Sequence, residues 1–130
     1  MAKILITDDD VGLRSALRLT VERQQHVVAE AKNGREAIEW LRRDQFDLVF
    51  LDLLMPEQDG IETLTAMREM RQPPKIIMMS DGGNLGLGLC LPTARGFGVK
   101  HFLRKPFSLR ELLEVMNAVL ADGGPQTQGS

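Results

Sequence analysis

The chain has 130 residues, 43% of them hydrophobic and 26% charged, with a formal charge of −2. That length fits one ordinary domain burying roughly two-thirds of its unfolded surface, and the mixture is too apolar for intrinsic disorder. The near-balanced charge offers none of the general attraction that direct binding to nucleic acid or anionic lipid draws on, and one cysteine, Cys90, excludes an internal disulfide or a C-x-x-C site.

A cytoplasmic setting without a membrane segment is therefore expected. The first apolar run, Ile4-Leu5-Ile6, is short and soon meets Asp8, Asp9 and Asp10, whereas a signal peptide or membrane span needs a longer uncharged stretch.

In chain order, Lys3-Ile4-Leu5-Ile6-Thr7 reads as a first strand. Leu13, Ala16, Leu17, Thr20 and Val21 then recur at helical spacing, a stripe that would cover one sheet face. His26-Val27-Val28-Ala29-Glu30 is the second strand, and Asn33 with Glu36 marks the capped start of a second helix. That helix carries Trp40, expected to pack partly or lie exposed, and closes at Arg42-Arg43-Asp44, where cations suit a helix end. Leu48-Val49-Phe50-Leu51 is a third strand, and Asp59 with Glu62 predicts the start of the helix after it.

Lys75-Ile76-Ile77-Met78-Met79 is the fourth strand. The glycine-rich run from Gly82 to Leu89 reads as a loop, because each glycine costs a helix about 1 kcal/mol. A short helix is expected from Leu91, with Pro92 in its first turn, ending before Gly96 and Gly98. His101-Phe102-Leu103 is the fifth strand. Ser108 with Glu111 caps a last helix striped by Leu109, Leu112, Leu113, Met116 and Leu120. Residues 1–121 thus form one domain, and 122–130 are expected to be a disordered tail or linker.

Five strands alternating with helical segments predict an α/β fold with a parallel sheet covered on both faces. On that scheme Asp8, Asp9, Asp52, Ser80 and Lys105 all fall at the carboxyl ends of strands, where open α/β sheets bind ligands. Crowded carboxylates repel unless a cation offsets them, and hard oxygen donors with open positions suit Mg²⁺. With that charge balanced by Mg²⁺ and Lys105, Asp52 can act as a nucleophile toward phosphorus, with Ser80 donating to a phosphoryl oxygen. Asp10 divides between capping the first helix and supporting the acidic pair. His26 and His101 lie at the opposite end of the sheet, where no catalytic role is expected, and Cys90 and the methionines read as packing or loop residues.

Three segments carry a family resemblance: Lys3-Ile4-Leu5-Ile6-Thr7-Asp8-Asp9-Asp10; Leu48-Val49-Phe50-Leu51-Asp52-Leu53-Leu54-Met55-Pro56 with Asp59-Gly60; and Phe102-Leu103-Arg104-Lys105-Pro106-Phe107. Together they resemble the signatures of response-regulator receiver domains in two-component signalling. The resemblance implies a doubly wound, flavodoxin-like five-stranded parallel sheet in the order 2-1-3-4-5. It also implies metal binding by Asp8, Asp9, Asp52 and the Leu54 carbonyl, phosphorylation at Asp52, and Lys105 and Ser80 as the catalytic partners. Ser80 and Phe102 become the switch residues, coupling the site to the helix before the fifth strand, that strand and the last helix. A cis bond between Lys105 and Pro106 is implied as well. The implied partners are a sensor histidine kinase or histidine phosphotransfer protein and a downstream target or missing output domain, with a homodimer as a further state. Such a chain catalyses its own phosphorylation and dephosphorylation without being an enzyme for other substrates.

The sequence departs from the family pattern at three places. Asp81 stands where a small residue usually follows the switch hydroxyl, and its charge would oppose an incoming phosphoryl group. The span from Ser80 to Lys105 is about three residues longer than usual, similar to a subgroup with a Ser-Gly-Gly type loop. Leu54 offers no polar group to orient a hydrolytic water, which implies a slowly decaying phosphoryl state. Two other functions compete: a phosphatase resembling the haloacid-dehalogenase family through Asp8-x-Asp10, and a receiver-shaped interaction module that no longer takes phosphate.

Overall fold

The computed structural model describes residues 1–52, 57–80, 95–96 and 98–122, and the side chains of 57–61 and 80 lie outside the described set. Among the described residues the elements follow in the order β1 (Lys3–Thr7), α1 (Val11–Glu22), β2 (Val27–Ala31), α2 (Gly34–Arg43), β3 (Leu48–Asp52), α3 (Glu57–Arg68), β4 (Lys75–Ser80), β5 (His101–Arg104) and α4 (Leu109–Asp122). All strand pairs are parallel and the order is β2-β1-β3-β4-β5. The expected fold class and strand order are both found.

The period of two along each strand sorts the core into two layers. Ile4, Ile6, Leu48, Phe50, Ile77, Met79 and Leu103 face Leu17 and Val21 of α1 and Leu112, Met116 and Val119 of α4. Leu5, Val49, Leu51 and Met78 face the other way, against Ala37 of α2 and Leu64 and Met67 of α3. Strands β1, β3 and β4 are buried on both sides, which is why their sequences are continuous apolar runs rather than alternating ones.

The expected helix starts are found at two places and shifted at a third. Asn33 accepts from the Glu36 amide at 2.9 Å, and Ser108 and Glu111 exchange reciprocal hydrogen bonds of 3.0 and 2.9 Å. Asp59, however, is the third residue of α3, which already begins at Glu57. A carboxylate is favourable both as a cap and within the first turn, so its presence alone does not locate the boundary. Strand β2 likewise runs one residue later than predicted, from Val27 to Ala31. Ala16 and Leu109 are exposed rather than part of their stripes, and Val119 is more deeply buried than Leu120. Ala16 sits at the margin of the Leu17–Val21 face, and Leu109 is the first residue of its helix.

Residues 81–94, which hold the glycine-rich loop and most of the expected short helix, lie outside the described residues, as does the tail at 123–130. Arg95 and Gly96 are helical, whereas a helical stop was expected before Gly96. The chain turns at Gly98, whose φ of 89° suits a residue without Cβ. Among the described residues no helix is long and apolar enough to cross a membrane.

At the amino end of the sheet, the His26 Nδ1 accepts from the Ala2 amide at 2.9 Å, so the bond exists only while that nitrogen is unprotonated. Burial, then the nearby positive amino terminus, hold His26 below its ordinary value, with Asp47 acting in the opposite direction. The folded chain therefore binds this proton less readily than the unfolded chain does. The stabilisation is complete above the unfolded imidazole value and declines as pH falls below about 6.5 toward the folded value. Thermal melts between about pH 7.5 and about pH 5.5 should show a decline that His26→Gln flattens; parallel profiles for the two proteins would refute this assignment.

Candidate active site

Pairing of β1 with β3 sets Ile6 beside Phe50 and Thr7 beside Leu51. Continuing that register by one step sets Asp8 beside Asp52. Each is two residues beyond a core side chain of the same layer, and Lys105 stands in the same relation to Leu103. Strand periodicity therefore brings two acids and one cation to the same side of the carboxyl rim.

The side chains meet there. Lys105 Nζ lies 2.9 Å from Asp8 Oδ2 and 3.6 Å from Asp52 Oδ1. Asp8 is fully buried and Asp52 is 2% exposed, whereas Asp9 reaches solvent. One carboxylate oxygen from each of Asp8, Asp9 and Asp52 lies within 4.8 Å of the others. Two ionised carboxylates at that separation repel by about 3 kcal/mol at an effective dielectric of roughly 20. Burial works against the charge of Lys105, but its hydrogen bond to Asp8 and the charges of Asp52 and Asp8 prevail and raise its pKa above the ordinary lysine value. The peptide bond from Lys105 to Pro106 is cis.

The acidic segment is braced from outside. Asp10 is the N-cap of α1, its Oδ1 accepting from the Leu13 amide at 3.1 Å, while its own amide donates to Asp8 Oδ1 at 2.9 Å. The Asp8 amide donates to the Ala31 carbonyl at 3.1 Å. Arg14 donates through Nη1 to the Asp8 carbonyl at 2.7 Å and through Nε to Glu30 at 2.7 Å. Arg18 holds the other oxygen of Glu30 at 2.9 Å and pairs with Glu22 at 3.0 Å. The hydrogen bonds from Arg18 and then Arg14 hold the Glu30 carboxyl below the usual carboxylate range. Trp40, half-buried as expected, donates its indole N–H to the Glu30 carbonyl at 2.9 Å and meets Phe46 edge-on.

Of the residues singled out from the sequence, Asp8, Asp9, Asp52 and Lys105 come together. Ser80 ends β4, with its backbone opposite Arg104, and its side chain lies outside the described residues, as do Leu54 and Asp81 altogether. Phe102 is half-buried against the second core layer, with the Arg95 guanidinium 5.4 Å from its ring centroid. Sequence patterning missed Arg14 and Glu30. Its one available signal was a cation four residues after the Asp10 cap, near the helix end where the backbone dipole disfavours positive charge.

Three hard oxygen donors on an open rim, two buried and one exposed, fit a divalent cation that retains water ligands, as Mg²⁺ does. Residues 4–117 match the response regulator receiver domain family. The chain is 37% identical over 120 residues to the transcriptional regulatory protein ResD of Bacillus subtilis and 35% identical over 120 residues to SrrA of Staphylococcus aureus. Each match covers 91% of this chain but 48% and 47% of those proteins, so the chain spans about half their length. The structure of the chemotaxis protein CheY4 of Vibrio cholerae superposes with a TM-score of 0.82 at 28% identity, covering 92% of this chain and 98% of that one. With its strand order, its rim of acids facing a lysine and these likenesses in agreement, the chain belongs to the response regulator receiver domain family of two-component signalling.

Proposed function

We propose that the chain accepts a phosphoryl group on Asp52 from a sensor histidine kinase or histidine phosphotransfer protein, using Mg²⁺ held by Asp8, Asp9, Asp52 and the Leu54 carbonyl. The observation that supports this most directly is the buried pair Asp8 and Asp52 sharing the Lys105 ammonium, with Asp9 completing an oxygen cluster at the rim. Mg²⁺, when bound, supplies positive charge that offsets the charge gathering on the transferred group.

The residues of the chain divide the remaining work. A carboxylate oxygen of Asp52 forms a bond to phosphorus as the bond from phosphorus to the donor's histidine nitrogen breaks, leaving the electron pair on the donor imidazole. An ionised carboxylate needs no general base, so the demand is for position and charge balance. Lys105 keeps its proton in that setting and supplies a fixed positive charge beside Asp52. Ser80 donates to a phosphoryl oxygen, and Phe102 responds by changing its packing, which carries the signal to the surface around β5 and α4.

By this reading the chain promotes its own phosphorylation and dephosphorylation and has no other substrate. It works in the cytoplasm and passes the signal to a downstream protein, to an output domain such as the remaining half of the longer regulators it matches, or to a second copy of itself. The receiver unit runs one residue past the boundary expected from the sequence, through Asp122 at the end of α4, with 123–130 as tail or linker.

The test is incubation with acetyl phosphate and Mg²⁺ followed by intact mass. Gain of one phosphoryl group in the wild-type chain, abolished in Asp52→Asn, is the expected result. Sustained turnover of phosphate esters would instead indicate a phosphatase, and no mass gain would indicate a receiver-shaped interaction module.

A further inference from the structure

Arg14 lies between the acidic segment and β2, and its guanidinium serves two acceptors at once. Nη1 holds the Asp8 backbone carbonyl and Nε holds Glu30, each at 2.7 Å. The side chains are only 15% and 25% exposed, so these bonds are largely shielded from competing water. Glu30 is fixed in turn by Arg18, and its carbonyl receives the Trp40 indole. The Asp8 carbonyl belongs to the residue whose carboxylate meets Lys105, and it directly precedes Asp9. Pinning that carbonyl sets the direction in which both carboxylates leave the backbone.

We infer that Arg14, oriented by Glu30, is a positioning residue that sets the affinity of the Asp8–Asp9–Asp52 cluster for a divalent cation. This rests on the reading of that cluster as the Mg²⁺ site of a phosphoacceptor. The charges support a positional role: Arg14, Arg18, Glu22 and Glu30 form a network of two cations and two anions with little net field. A bare positive charge near the cluster would repel Mg²⁺, so its removal would tighten binding. Loss of a brace loosens the donors and weakens binding, because residues that orient metal ligands typically contribute about 10-fold or more to affinity.

The sign of the effect therefore separates the two roles. An amide NMR titration with Mg²⁺, without phosphodonor, reports fold and affinity in one spectrum. Arg14→Ala is expected to weaken Mg²⁺ binding about 10-fold. Arg18→Ala, which removes the other arm on Glu30 without touching Asp8, is expected to stay within about 2-fold of the wild type, whereas a merely structural role would weaken both alike. If Arg14→Ala does not fold, Arg14→Gln keeps the stem and the helix propensity and carries the same expectation. Unchanged or tighter binding in the folded Arg14 variant, or an equal loss in Arg18→Ala, overturns the inference while leaving the phosphoacceptor reading intact. A wild-type spectrum that does not respond to Mg²⁺ overturns that reading and this inference with it.

Discussion

Replacing Lys105 with methionine is expected to lower stability by about 3 kcal/mol in the absence of divalent cations, and Mg²⁺ should recover part of the loss. The ammonium sits 2.9 Å from a carboxylate with no solvent exposure and 3.6 Å from one that is almost as buried. Removing one partner of such a set leaves buried anions facing each other without their counterion, a far larger effect than losing an exposed ion pair. Methionine keeps much of the volume, so the change is mainly in charge. A bound cation would take over the neutralising role, so Mg²⁺ should raise the melting temperature of Lys105→Met by more than it raises that of the wild type. Melting curves with and without millimolar Mg²⁺ decide the matter. A variant as stable as the wild type without Mg²⁺ would show that Lys105 does not balance the buried acids.

Phe50→Ala is expected to destabilise the chain by about 3–5 kcal/mol, a large fraction of the 5–15 kcal/mol that holds an ordinary domain together. Phe50 is fully buried in the central strand β3, paired with Ile6 of β1 and Ile77 of β4, in the layer covered by α1 and α4. Truncation removes the transfer energy of the ring and leaves a cavity that two flanking strands prevent from closing. The same side chain lies two residues before Asp52 on the same face, so the cavity would also loosen the support of the site. Urea unfolding gives the midpoint and slope; a loss below about 1 kcal/mol would show that this layer is far less tightly packed than its burial indicates.

How far the sequence reaches is visible in particular residues. The runs Ile4–Ile6, Leu48–Leu51 and Ile76–Met79 announce buried parallel strands because a strand covered on both faces must be apolar at every position. Asp8, Asp52 and Lys105 were legible because each interrupts or follows such a run at a strand's carboxyl end, and topology sends those ends to one rim. Asn33 and Ser108 were legible because capping is a local hydrogen bond within three residues. The start of α3 was misplaced because an acid in a first turn and an acid at a cap have the same electrostatic merit.

Local periodicity and backbone chemistry were thus enough to read the succession of strands and helices, a parallel sheet covered on both faces and the acids at one rim, while the doubly wound strand order came from the family resemblance. Tertiary structure alone decided that Lys105 bonds Asp8 more closely than Asp52 and that Arg14 reaches back to the Asp8 carbonyl with Glu30 behind it. Those contacts join residues whose separation along the chain bears no relation to their separation in space. They depend on strand register and on how α1 settles against β1 and β2, which only the packed molecule sets.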